Sequence, residues 1–215
     1  MKRRDFSLAG ASLATLSAWG VAPAQAQGKK PQEGTDYLAL DKRVPVEAGG
    51  KVEVIEFFWY SCPHCNAFEP ALEAWIKKAP KDVDVKRMPV AFRDDFVPQQ
   101  KLYYTLEAMN KIDELHRKVF YAIHVEKQPL NREDGILAWA GKQGLDPAKF
   151  AEIYKSFAVA SKVRRATQLQ DAFKVSGVPA LGIAGRFYTD GSLAGSMERA
   201  LMVTEYLVGE VRKGT

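Results

Sequence analysis

The chain has 215 residues, of which 47% are hydrophobic and 27% charged, and a formal net charge of +5. These are the proportions of an ordinary soluble globular protein with room for one or two domains and a substantial core. No Lys/Arg-dense run with interleaved aromatics occurs, which argues against nucleic-acid binding. Two cysteines are too few for a disulfide-dense secreted scaffold.

Residues 1–26 read as a cleaved export signal. Lys2, Arg3 and Arg4 are its positive start, Leu8 to Val21 its apolar stretch, and Ala24-Gln25-Ala26 its cleavage site. Gly10, Gly20 and Pro23 argue against an amphipathic first helix, and the stretch is short for a membrane anchor. Arg3-Arg4-Asp5-Phe6 is similar to the core of twin-arginine signals, whereas Ser7-Leu8 departs from it, so that route and the general secretory route both stay open. Removal of this segment leaves a net charge of +3.

A polar start over 27–36 precedes a weakly alternating edge strand, Tyr37 to Val46. Gly49-Gly50 turns the chain into Lys51–Tyr60, whose near-continuous apolar content suits a central parallel strand. A helix over Cys65–Lys78 places Phe68, Leu72, Trp75 and Ile76 on one face, and Val83–Pro89 is a short strand. From Phe96 the pattern turns helical: Pro98–Met109, Asp113–Val125, Arg132–Gln143, Asp146–Phe157 and Val159–Phe173. Gly144 is a stop signal, and Asp146-Pro147 supplies a cap and a first helical residue. Ala180–Ala184 and Phe187–Thr189 pair around Gly185-Arg186, and an amphipathic helix over Ser196–Val211 closes the chain. The expected fold class is α/β: a domain built from 27–95 and 167–215, with an all-helical block over 96–166 inserted in its middle.

Cys62-Pro63-His64-Cys65 holds both cysteines where the buried strand gives way to a helix. A Cys-x-x-Cys pair at a helix start suits reversible dithiol–disulfide chemistry, because unpaired N–H groups and the helix dipole favour a thiolate at the first sulfur. Cys62 is therefore the expected nucleophile, and Cys65 the resolving thiol that attacks it in a mixed disulfide. A structural bridge across two residues would stabilise little. Zinc needs about four ligands, and only His64, His116 and His124 stand beside the cysteines, so no metal is expected. His64 can add positive potential at Cys62, and Pro63 rigidifies the turn without losing a needed donor.

Val54-Ile55-Glu56-Phe57-Phe58, then Cys-Pro-His-Cys, Phe68-Glu69 and the later Gly177-Val178-Pro179-Ala180 together resemble the DsbA family, thiol oxidants of the bacterial periplasm with a thioredoxin-like fold and a helical insertion. The resemblance covers essentially the whole chain after residue 26. It implies that Val178-Pro179 is a cis-proline loop against the disulfide, with Val178 pairing its backbone to substrate. It also implies that Glu56 is a buried acid assisting proton movement, with Arg87 as charge partner where the family often has lysine. Glu69 is a further candidate. Trp59, Tyr60, Phe92 and Phe96 either frame a substrate surface or belong to the core. The Cys62–Cys65 disulfide is the redox group, with no metal or organic cofactor. The partners implied are reduced, unfolded exported proteins and a DsbB-like quinone-linked membrane oxidase, and the protein is expected to be a periplasmic monomer. The rivals are an isomerase or reductase of the same superfamily and a non-catalytic thiol chaperone or metallochaperone.

Overall fold

A computed structural model describes residues 29–47 and 49–214. The expected export signal over 1–26, with its cleavage after Ala26, lies outside these residues. The described chain runs β1 (Leu38–Ala39), β2 (Val52–Phe58), α1 (Pro63–Lys78), β3 (Val83–Pro89), α2 (Val97–Ala108), α3 (Ile112–His124), α4 (Glu133–Lys142), α5 (Pro147–Tyr154), α6 (Phe157–Ala172), β4 (Ala180–Ile183), β5 (Phe187–Asp190), α7 (Gly191–Ala194) and α8 (Met197–Arg212). The strands form one sheet in the order β1-β5-β4-β2-β3.

All seven residues of β2 are buried, because both faces of the strand are covered. Val52 and Val54 pack with Phe68, Leu72 and Trp75 of α1 and with Ala200, Val203 and Leu207 of α8. Ile55 and Phe57 join a second core that continues into the helical block through Leu102, Leu106, Phe120, Trp139 and Phe150. Each such fully buried side chain contributes roughly 1.5–3 kcal/mol of transfer free energy. The strand is central, as its apolar run implied. It is parallel to β3 but antiparallel to β4, so the sheet is mixed.

The expected first strand is much shorter than its sequence suggested. Its ladder is Leu38 and Ala39, opposite Tyr188 and Phe187, and Tyr37 makes an isolated bridge to Glu33. The polar run Asp41-Lys42-Arg43 is exposed and breaks the alternation a strand needs. Val44 then donates its N–H to the Gly185 carbonyl at 2.7 Å. Gly185 has φ +63°, and a Cβ there would run into the Val44 carbonyl, so glycine is required at this turn.

Helices α2–α6 lie between β3 and β4 in the chain, as the inserted block was expected to. Its internal boundaries differ in places. Phe157 does not end the fourth helix of the block: Ser156 accepts the Val159 N–H and caps a new helix, leaving Phe157 on an exposed first turn. The resulting α6 is continuous across positions 166 and 167. Near the cysteines, α1 begins at Pro63 rather than Cys65, because Cys62 itself is the N-cap and Pro63 takes the first helical position.

Candidate active site

The start of α1 creates two unlike sulfurs. As N-cap, Cys62 accepts the Cys65 backbone N–H at 3.3 Å, the role a serine or aspartate oxygen usually fills. Both cysteines are free, so the structure is that of the dithiol. Hydrogen bonding from the Cys65 thiol, helped by the backbone N–H groups of Cys65 and His64 and by the His64 charge, holds the Cys62 pKa at about 6 against the opposing effect of burial. Burial and the neighbouring Cys62 push the Cys65 thiol far up. One sulfur is thus a thiolate at neutral pH, while the other keeps its proton.

The remaining expected residues of the rim gather around Cys62. His64 is exposed on the first turn, and Pro63 precedes it. Val178 lies 116 residues away in sequence, yet its carbonyl oxygen stands 3.4 Å from Cys62 Sγ and accepts from it when the thiol carries its proton. The Val178–Pro179 peptide bond is cis, and Val178 is half-buried while Pro179 is buried. The sulfur therefore sits between a helix N-terminus and an accessible stretch of backbone.

Beneath this rim lies a charged cluster inside the protein. Parallel pairing of β2 and β3 sets Glu56 opposite Arg87, and Arg87 Nε donates to Glu56 Oε2 at 3.2 Å. Arg87 Nη2 donates to Glu69 Oε2 at 3.0 Å, so one guanidinium serves two carboxyl groups. Both acids are 0% exposed. Burial and the Glu69 charge raise the Glu56 pKa well above the carboxylate range despite Arg87. Burial acts the same way on Glu69, but there the His116 hydrogen bond, together with the Arg87 charge, outweighs it and leaves the pKa lowered. Glu56 Oε1 has no hydrogen-bond partner among the described residues, and Glu56, once ionised, adds to the rise of the Cys65 thiol.

Four further side chains that the sequence does not mark for this role contact the site or the buried cluster. His116 was weighed only as a metal ligand and Tyr60 only as an aromatic surface or core residue, yet both belong to the buried cluster. Gln99 bonds the Ser61 N–H, the Ser61 hydroxyl and the Leu130 carbonyl, and His124 Nε2 meets the Tyr60 carbonyl at 2.8 Å. The helical block thus grips the two residues that precede Cys62. Of the four aromatics, Tyr60 and Phe96 are buried, Trp59 stacks on Phe96 at 3.8 Å, and Phe92 is exposed. Among the described residues, no group of three or more His, Cys, Asp or Glu could hold a metal ion.

A mixed sheet with a dithiol at the start of the helix after its central strand, facing a cis-proline loop, defines a thioredoxin-fold thiol–disulfide oxidoreductase. Residues 53–201 match the DSBA-like thioredoxin domain. The chain is 44% identical to the thiol:disulfide interchange protein DsbA of Bordetella parapertussis, with 96% of each chain covered, and 37% identical to that of Pseudomonas aeruginosa, with 94% of each covered. The crystal structure of Pseudomonas aeruginosa DsbA superposes with a TM-score of 0.80 at 36% identity, covering 84% of this chain and 94% of that one. The oxidoreductase DsbA from Xylella fastidiosa gives a TM-score of 0.80 at 27% identity, over 86% and 99%. The chain belongs to the DsbA-like family.

Proposed function

We propose that this protein is a periplasmic disulfide donor for newly exported proteins. The observation that carries this reading is the contrast at the start of α1, where Cys62 is held as a thiolate with a pKa of about 6 and Cys65 is kept protonated. Stabilising the thiolate stabilises the reduced form, so the Cys62–Cys65 disulfide is oxidising and Cys62 is a good leaving group. A client thiolate attacks Cys62 Sγ, and Cys65 leaves as a thiolate that takes a proton from Glu56. The second client thiolate then attacks the client's own sulfur in the mixed disulfide and expels Cys62. Two electrons pass from the client dithiol to the enzyme, and the client gains the disulfide.

In this reading the Val178 backbone aligns the client chain beside Cys62, His64 adds positive potential, and Pro63 fixes the first turn. The cysteine pair is the whole redox group, with no metal or organic cofactor. A DsbB-like, quinone-linked membrane oxidase restores the disulfide, and the donor acts as a monomer. Equilibration of the Cys62–Cys65 pair with glutathione tests the direction of electron flow. The expected potential lies well above that of thioredoxin, about −270 mV, and a value near thioredoxin's makes the protein a reductase. Refolding of reduced ribonuclease provides the second test: rapid disulfide insertion is expected, whereas stoichiometric metal binding without it supports a metallochaperone.

A further inference from the structure

The Glu56–Arg87–Glu69 cluster continues beyond Glu69. His116 projects from α3 and is 3% exposed, with Nε2 at 3.2 Å from Glu69 Oε1 and Nδ1 at 2.9 Å from the Tyr60 hydroxyl. Phe58, Tyr103 and Phe120 surround the ring edge-on at 5.2, 6.0 and 5.3 Å between centroids, which fixes its orientation. With Glu69 ionised and the imidazole neutral, one tautomer satisfies both contacts: Nε2–H donates to the carboxylate and Nδ1 accepts the phenol proton. Burial favours that neutral ring.

The two carboxyl groups are therefore unequally served. Glu69 has Arg87 on one oxygen and His116 on the other, whereas Glu56 has Arg87 on Oε2 alone. One guanidinium cannot keep two buried carboxylates ionised at once, so the acid with the extra donor takes the charge and the other takes the proton. We propose that His116 is a positioning residue of the dithiol site: it holds Glu69 as the ionised partner of Arg87, so that Glu56 retains the proton Cys65 needs when it leaves the disulfide. This rests on the reading of Glu56 as the proton donor. The other charged or titratable groups around the cluster are Glu73, Lys77 and Cys65 from α1, Tyr60 after β2, Tyr103 from α2, and Asp113 and Arg117 on α3 itself.

Without His116, Glu69 loses the donor that distinguishes it. The proton then moves toward Glu69, Arg87 commits to Glu56, and Glu56 ionises at lower pH. The test is the rate at which dithiothreitol reduces the Cys62–Cys65 disulfide, followed across pH and corrected for the thiolate fraction of the reductant. In the unmodified protein the corrected rate falls as Glu56 loses its proton, and Glu56→Gln removes that limb. His116→Leu is expected to move the limb to lower pH by about one unit. His116→Gln, whose amide can donate to Glu69 and accept from Tyr60, is expected to restore it. Glu69→Gln is nearly isosteric, lacks the charge, and should move the limb in the same direction as His116→Leu; it decides the matter if the leucine variant does not fold. A limb that persists in Glu56→Gln overturns the donor reading and the proposal with it. A limb lost in Glu56→Gln but unmoved in His116→Leu and Glu69→Gln, or shifted equally by leucine and glutamine at 116, overturns the role of His116 alone.

Discussion

The two ends of the reactive region solve the same problem by different means. At the rim, two thiols three residues apart are driven in opposite directions, Cys62 down and Cys65 up. Underneath, two carboxyl groups that share one arginine are also split, Glu56 up and Glu69 down. The rim achieves its split with local parts: a neighbouring thiol and backbone N–H groups of one helical turn. The buried cluster needs partners from β3 and α3, brought together only by the tertiary fold.

Substitutions on either side should break the contrast in different ways. Cys62→Ser should reduce client oxidation to the uncatalysed rate, whereas Cys65→Ser should accumulate a mixed disulfide at Cys62, detectable as a mass adduct. Arg87→Met leaves two buried carboxyl groups without a cation and should destabilise the fold by about 3–5 kcal/mol in urea unfolding at neutral pH. That deficit should shrink in acid, because protonated carboxyl groups no longer need the guanidinium. A pH-independent deficit would show that Arg87 acts through packing alone.

The thiolate itself sharpens the comparison from the other side. Thiolate absorbance near 240 nm should titrate with a midpoint at about pH 6. Because this pKa lies below the unfolded value near 9.0, its stabilisation of the reduced form is complete above that value and is lost as pH falls through about 6. The stability of the reduced form relative to the oxidised form should therefore rise between those limits, and a flat difference contradicts the assignment. The smallest effect belongs to His64→Ala, expected to raise the Cys62 midpoint by about half a unit, since the backbone donors and Cys65 remain. A shift of several units would make the imidazole, rather than the helix start, the principal stabiliser.

The rim was legible in the sequence because its parts are local or carry distinctive chemistry. The apolar run ending at Tyr60 announced the strand, Cys62-Pro63-His64-Cys65 announced the helix start, and Val178-Pro179 stood out through the family resemblance. Even the Glu56–Arg87 pair could be read, since two adjacent strands bring equivalent positions side by side. His116 could not be placed that way. Its contact with Glu69, 47 residues away, depends on how α3 lies across α1, which no sequence period specifies. One signal was present: His116 sits among Leu115, Val119 and Phe120 on the buried face of α3, and a polar ring in such a stripe requires partners. The first strand was overread for the opposite reason, because weak alternation over Tyr37–Val46 carried no weight against Asp41-Lys42-Arg43.

The grip of the helical block on the residues before Cys62 has a consequence for the order in which the protein matures. Gln99, His116 and His124 follow Cys62 in the chain, and Val178 follows them all. A nascent polypeptide that has folded only as far as β3 holds the two thiols but lacks the anchors of Ser61 and Tyr60 and the backbone that faces the sulfur. The reactive turn has all its neighbours only once the chain has reached Val178, just before β4. Completion of the dithiol site is thereby tied to the second half of the chain.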